Sequence, residues 1–206
     1  MKFHRLTLGV LGTNCYAIAN ENTKQAILID APDNPDLILE FLKENDYTLD
    51  KIVLTHGHFD HILALPVLLK TTKAPLYIHE NGKIFLEESE YNLAFHLDVD
   101  WKPITADHYL KDGDVISLGD KSIKVIHTPG HTSDCICLLV DDILISGDTL
   151  FQGSVGRIDH PTGDLSMEVN SIKQKLMPLS DDIKVYPGHG NDTTIGSERR
   201  ENPYLR

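Results

Sequence analysis

The segment KIVLTHGHFDHIL, residues 51–63, constrains this chain more than any other. Ile52, Val53 and Leu54 form a short apolar run that reads as a buried strand. Behind it come His56, His58, Asp60 and His61, spaced H-x-H-x-D-H. With the histidine and aspartate content of this chain, chance puts that pattern somewhere in about 1 of 300 such sequences, so coincidence is set aside. A strand end running into a turn aims alternate side chains at one point, and Gly57 is read as the residue that lets the backbone turn tightly. Neutral imidazole and carboxylate are the ligands that borderline divalent cations prefer.

Four residues cannot complete two metal shells, so other segments must contribute. VIHTPGHTSD offers His131, ILISGDTLF offers Asp148 and KVYPGHGND offers His189. Each follows an apolar run and a glycine. A fold that gathers several strand ends at one edge is therefore required. Short β-branched runs alternate with amphipathic segments along the whole chain. Strands are expected at Phe3–Val10, Cys15–Ala19, Gln25–Asp30, Lys51–Thr55 and Pro75–His79. A second set is expected at Val115–Leu118, Ser122–His127, Cys135–Val140, Ile143–Ser146 and Lys184–Tyr186. Helices are expected at Pro35–Glu44, Leu65–Thr71, Gly82–Glu90 and Leu165–Leu176. Asp33 or Asn34 is the expected cap of the first and Asp164 of the last.

No low-complexity linker divides the sequence, so residues 1–206 read as one α/β domain with two sheets and outer helices. Asn81–Leu110 has few strand cues and carries Tyr91, Phe95, His96 and Trp101. It reads as an insertion that covers the site. The net charge of −12 disfavours nucleic acid and anionic membrane as partners. No apolar stretch approaches the roughly 20 residues that span a bilayer, and the first residues read as a strand rather than a signal peptide. Cys15, Cys135 and Cys137 are an odd set without a disulfide framework, which fits a reducing, cytoplasmic setting.

THGHFDH, TPGHT, SGDTLF and YPGHG, in that order, closely resemble the metallo-β-lactamase superfamily, and their spacing is most similar to its glyoxalase II (hydroxyacylglutathione hydrolase) branch. The resemblance runs from about Leu11 to the end, and TTIGSERRENPYL is similar to short bacterial and archaeal members. It implies an αββα sandwich of two mixed β-sheets flanked by helices, with two divalent metal ions at one edge. Zinc is the first choice, with iron or manganese also compatible. By the resemblance His56, His58 and His131 hold the first metal, Asp60, His61 and His189 the second, and Asp148 bridges them with a hydroxide between. The substrate class it implies is a small-molecule thioester, and Asp60 is a candidate proton acceptor. Two cations lower the pKa of a shared water and polarise a carbonyl, so no Ser or Cys nucleophile is needed. Some lactamases of this superfamily use a Cys where Asp148 stands, which argues against an antibiotic-cleaving role.

Other residues carry plainer readings. The three cysteines read as small core residues, and His4, His79, His96, His108, His127 and His160 as structural or solvated. His127 is the first candidate to support a ligand. Arg157 reads as an ion-pair partner of Asp159, with substrate binding as the alternative. Ile62, Leu63 and Ala64 stand where the family often has Gly-Gly, and are expected to reshape the floor beneath the metals. Three rival functions remain open: a single-iron persulfide dioxygenase, a hydrolase of lactones or other esters, and a metal-stabilised binding module. Seven candidate ligands with a shared carboxylate exceed the four of a closed structural site. The 17 residues after His189 leave room for a short helix in which Arg199 and Arg200 could attract a carboxylate.

Overall fold

In a computed structural model describing residues 1–97 and 101–206, two six-stranded mixed sheets lie face to face. The first runs in sequence order: β1 (Lys2–Leu8), β2 (Thr13–Ala19), β3 (Gln25–Ile29), β4 (Thr48–Val53), β5 (Leu76–His79) and β6 (His108–Leu110). β1 to β3 are antiparallel, and β3 to β6 are parallel. The second is built from β7 (Val115–Leu118), β8 (Lys121–His127), β9 (Ile136–Val140) and β10 (Ile143–Gly147). After a small hairpin, β11 (Leu150–Phe151) and β12 (Ser154–Val155), it adds β13 (Lys184–Pro187) parallel to β10, and then β14 (Thr193–Thr194).

Alternation along the strands explains the layering. In β3, Ile27 and Ile29 face the other sheet, while Ala26 and Leu28 face the helices. On that outer side lie α1 (Pro35–Glu44) and α2 (Leu65–Thr72), with Ile38, Leu42, Leu65 and Leu68 buried against the sheet. In β10, Ile143 and Ile145 join the inter-sheet core, whereas Leu144 packs with Ile172, Leu176 and Ile195. Ile172 and Leu176 come from the π turn Ile172–Leu176 that continues α5 (Leu165–Ser171), and Ile195 from α6 (Ile195–Glu201). The order helix, sheet, sheet, helix is the expected αββα sandwich. Both strand faces are apolar because both are covered.

Several local expectations need correction. Asn34 does not cap α1: it sits in the left-handed region, and its side chain accepts from Gly9 N instead. Asp164 does cap α5, accepting from Met167 N at 2.9 Å. The expected helix Gly82–Glu90 breaks at the extended Glu88 into α3 (Lys83–Glu87) and α4 (Ser89–Asn92). The segment read as strand-poor ends in β6, the edge strand of the first sheet. Short strands escape a pattern reading because two or three residues show no period. Part of that segment, residues 98–100, lies outside the described residues. Among those described, no helix is long and apolar enough to cross a membrane.

All three cysteines are buried, and burial pushes their thiols up, Cys137 to about 12, as core residues require. Two neighbouring truncations test the layering. Ile145→Ala and Leu144→Ala should each destabilise by about 2–5 kcal/mol in denaturant unfolding, because each opens a cavity in a different core. A near-neutral result for either one would mean that its face of β10 is not covered.

Candidate metal centre

The seven candidate residues come together at one edge of the sandwich, on the segments that follow β4, β8, β10 and β13. His56 and His61 are fully buried, His58 and His131 nearly so, and Asp148 is 9% exposed. Three groupings place ligand atoms within 4.8 Å of one another: His56 with His58 and His131, His56 with His61 and Asp148, and Asp60 with His61 and His189. His58 Nδ1 lies 2.9 Å from His131 Nε2. His189 Nε2 lies 3.1 Å from Asp60 Oδ2. Asp148 faces both ends: Oδ1 is 3.4 Å from His61 Nε2, and Oδ2 is 3.7 Å from His131 Nε2 and 3.6 Å from His189 Nε2.

Gly57 and Gly188 belong here for a different reason from the one the sequence offers. Gly57 has no left-handed backbone; a Cβ there would meet Phe85 Cβ at 2.3 Å. A Cβ on Gly188 would sit 2.1 Å from Asp148 Oδ1 and 2.8 Å from His61 Cε1. Gly57 allows close approach of Phe85, and Gly188 close approach of the ligands Asp148 and His61, rather than a special turn.

The donor set fits divalent cations. Among the described residues, His56 Nε2, His58 Nε2, His61 Nε2 and Asp148 Oδ1 are buried without a hydrogen-bond partner. Leaving such an atom unpaired costs about 1–3 kcal/mol, and divalent cations held by the groupings above would satisfy them. Burial and neighbouring imidazoles push His56 down, and burial pushes His58 down to about 3. Burial likewise lowers His131. Neutral imidazole is the form that ligates. For His61, burial opposes protonation, but the carboxylates of Asp60, Asp30 and Asp148 outweigh it and raise its pKa. His189 is raised too, by its bond to Asp60 and the charge of Asp148 against the effect of burial. Burial also opposes the charge on Asp60 and Asp148, but the facing histidines hold both below the usual carboxylate range.

A surrounding layer that the sequence reading missed orients these groups. Asp30 Oδ2 receives His61 Nδ1 at 2.8 Å, while Asp30 also accepts from Thr55 N at 2.7 Å and Thr55 Oγ1 at 2.8 Å. Thr13 donates to Asp60 at 2.9 Å. Glu168, whose carboxyl burial pushes up to about 8, accepts from His131 N at 2.6 Å. His131 Nδ1 lies 2.7 Å from the carbonyl of Arg157. The signal for Asp30 was available: it ends a strand as Asp148 does. His127 does not support a ligand; it stacks on His79 at 3.8 Å, with its Nε2 at 2.9 Å from Ser133 O. Ile62 and Ala64 pack in the helix-side core.

A cavity of about 850 Å³ opens over the cluster. Its walls include Leu11, Phe59, Leu93, Phe151 and Val155. His96 and His160, read as structural or solvated, both line it. Among the described residues of the 81–110 segment, Leu93 and His96 line it, whereas Tyr91, Phe95 and Trp101 do not; the Trp101 indole donates to Leu86 O.

A profile described as the metallo-beta-lactamase superfamily matches residues 8–189. The chain belongs to this superfamily. The fold and the ligand-rich edge are thus those of a metallo-hydrolase family, with a site suited to divalent metal. A relative of known name, hydroxyacylglutathione hydrolase GloC of Haemophilus influenzae (strain ATCC 51907 / DSM 11121 / KW20 / Rd), is 34% identical over 93% of this chain and 92% of its own. The solved BLEG-1 B3 metallo-beta-lactamase is 36% identical, with a TM-score of 0.90 over 99% of both chains. TTHA1623, solved in a di-iron-bound form, is 33% identical with a TM-score of 0.87, over 98% of this chain and 100% of its own. ETHE1 from Myxococcus xanthus is 32% identical with a TM-score of 0.82, over 98% of this chain and 84% of its own.

Two outcomes are expected. Asp30→Asn should weaken divalent metal binding about 10–100-fold, because His61 loses its orienting carboxylate; competition with a chromophoric chelator measures this. Because His61 and His189 hold protons above the ordinary imidazole range in the metal-free protein, a cation must displace them. Adding zinc near pH 6.5 to a weakly buffered solution should therefore release protons, and affinity should rise with pH through that range. Zinc binding with no pH change would contradict the raised pKa values.

Proposed function

We propose that this protein is a dinuclear metal-dependent hydrolase that cleaves small thioesters of the hydroxyacylglutathione type. The observation that carries the reading is Asp148, whose two oxygens face histidines of both groupings. His56, His58 and His131 would hold one cation, Asp60, His61 and His189 the other, with Asp148 shared. Cations there would supply an activated water near neutral pH and polarise an acyl carbonyl. Asp60 stays ionised, is held by Thr13, and stands at the cavity wall, where it can accept a proton from a reacting water. A thiolate leaves readily at its ordinary pKa of about 8.5, so no strong general acid is required.

The cavity supports a hold on the acyl group more than on the carrier. Its lining cation is Arg157, whose guanidinium is engaged by Asp159 through Nε at 3.0 Å and Nη2 at 2.7 Å. Arg199 and Arg200 do not line it: Arg199 donates to the carbonyls of Met177 and Leu179 and pairs with Asp181, and Arg200 lies 3.8 Å from the same carboxylate. Uniform binding energy for glutathione is therefore small, and KM for an acylglutathione should be high.

Metal analysis and turnover on one preparation test this. About two divalent ions per chain and release of free thiol from an acylglutathione are expected. The same acyl group on a smaller thiol should react with kcat/KM within about tenfold, or roughly 1.4 kcal/mol. Asp148→Asn should keep its melting temperature and lose most turnover, because two cations are no longer joined. Dominant oxygen uptake with glutathione persulfide would replace the hydrolase reading with oxidation at a single iron, and dominant lactam or lactone opening would move it to another ester class.

A further inference from the structure

The superfamily match ends at residue 189, before α6, yet α6 reaches the β11–β12 hairpin that borders the cavity. Glu198 of α6 is 2% exposed, and Asn202, which follows the last residue of the helix, is fully enclosed. Polar side chains of these types are rarely buried without a specific set of partners. Glu198 Oε1 accepts from Thr193 Oγ1 at 2.6 Å, and Oε2 accepts from Gly153 N at 2.9 Å and Asn202 Nδ2 at 2.8 Å. Asn202 Nδ2 also donates to Ser154 O at 3.0 Å, while its Oδ1 caps the following turn through Tyr204 N at 3.0 Å. Gly153 lies in the turn of the β11–β12 hairpin, and Ser154 is the first residue of β12.

That hairpin leaves the metal centre directly. Leu150 follows Asp148 by two residues, and Gly156 N returns to Thr149 O at 3.3 Å. Phe151, Gln152, Ser154 and Val155 all line the cavity. β11 and β12 have two residues each, and a pair that short does not hold its own shape in water. Its tip region is held from outside by the carboxylate of Glu198 and the amide of Asn202, with a longer contact from Asn191 Nδ2 to Gln152 Oε1 at 3.4 Å.

We propose that Glu198 and Asn202 are positioning residues that hold the β11–β12 hairpin as a wall of the cavity and so set which acyl groups fit. Neither touches a metal-ligand side chain in the contacts above, so the cluster itself is not their charge. The kinetic consequence rests on the thioester reading, whereas the structural consequence does not.

Hydrogen exchange and kinetics on the metal-loaded full chain separate the two. Glu198→Gln turns an amide N–H toward donors, and Asn202→Ala removes the bond to Ser154. Both variants should exchange faster at residues 150–156, with exchange at the His56–His61 turn and metal content unchanged. Thr193→Val removes only the Oε1 contact and should leave the hairpin as in the wild type. For thioesters, KM for a bulky aromatic acyl group should rise about tenfold in both variants and less than twofold for an acetyl group, with kcat nearly constant. Global loss of folded protein would instead lower kcat at fixed KM. Unchanged or uniformly faster exchange overturns the latch, and equal KM changes for both acyl groups overturn its part in selectivity. If the wild type cleaves no thioester, the function proposed above fails while the exchange result still decides the latch.

Discussion

Everything at the working edge of this protein depends on gathering buried imidazoles and carboxylates around Asp148. Left without cations, several of those atoms are buried and unpaired, a strongly unfavourable arrangement. The sandwich sustains it because the strand ends cannot move apart. Tyr16 donates to Pro187 O at 2.7 Å, Asn14 N donates to Gly188 O at 2.7 Å, and both contacts join the first sheet to the second beside the ligands. Apolar packing between the sheets fixes the remaining degrees of freedom. The centre is thus strained locally and over-determined globally.

Charge is distributed in the same spirit. The groupings differ in character: burial lowers the pKa of His56, His58 and His131 and favours their neutral forms, whereas His61 and His189 sit among carboxylates that favour their protonated forms. One half is ready to accept a cation as it stands, and the other must exchange protons for it. Asp30 makes this asymmetric, since it bonds His61 and not His189. Beyond the ligands, α5 and α6 act on the site through backbone contacts, Glu168 on His131 and Glu198 on Gly153. Helices that lie on the outer face of the sheet therefore shape the cavity without lining it.

The sequence by itself determined the sandwich and the seven residues at its edge. Alternation in β3 and β10 encodes two buried faces, and strand-end Gly-His and Gly-Asp pairs survive as signals because each is local. What only the tertiary structure decided is set by contacts between distant segments. Asp30, Thr13, Glu168, Glu198 and Asn202 look like ordinary polar residues until the chain folds and places each against a backbone, ring or carboxylate 31 or more positions away. His127 failed as a support because four positions along the chain do not fix a direction in space; its ring turned to His79 instead. Gly57 was rightly singled out but for a turn, whereas its neighbour Phe85 is what forbids a side chain there. Short strands such as β6, β11 and β14 were silent because their geometry is imposed by partners, not by their own two or three residues. Local chemistry is written in the order of residues; the direction in which each side chain finally points is settled by packing.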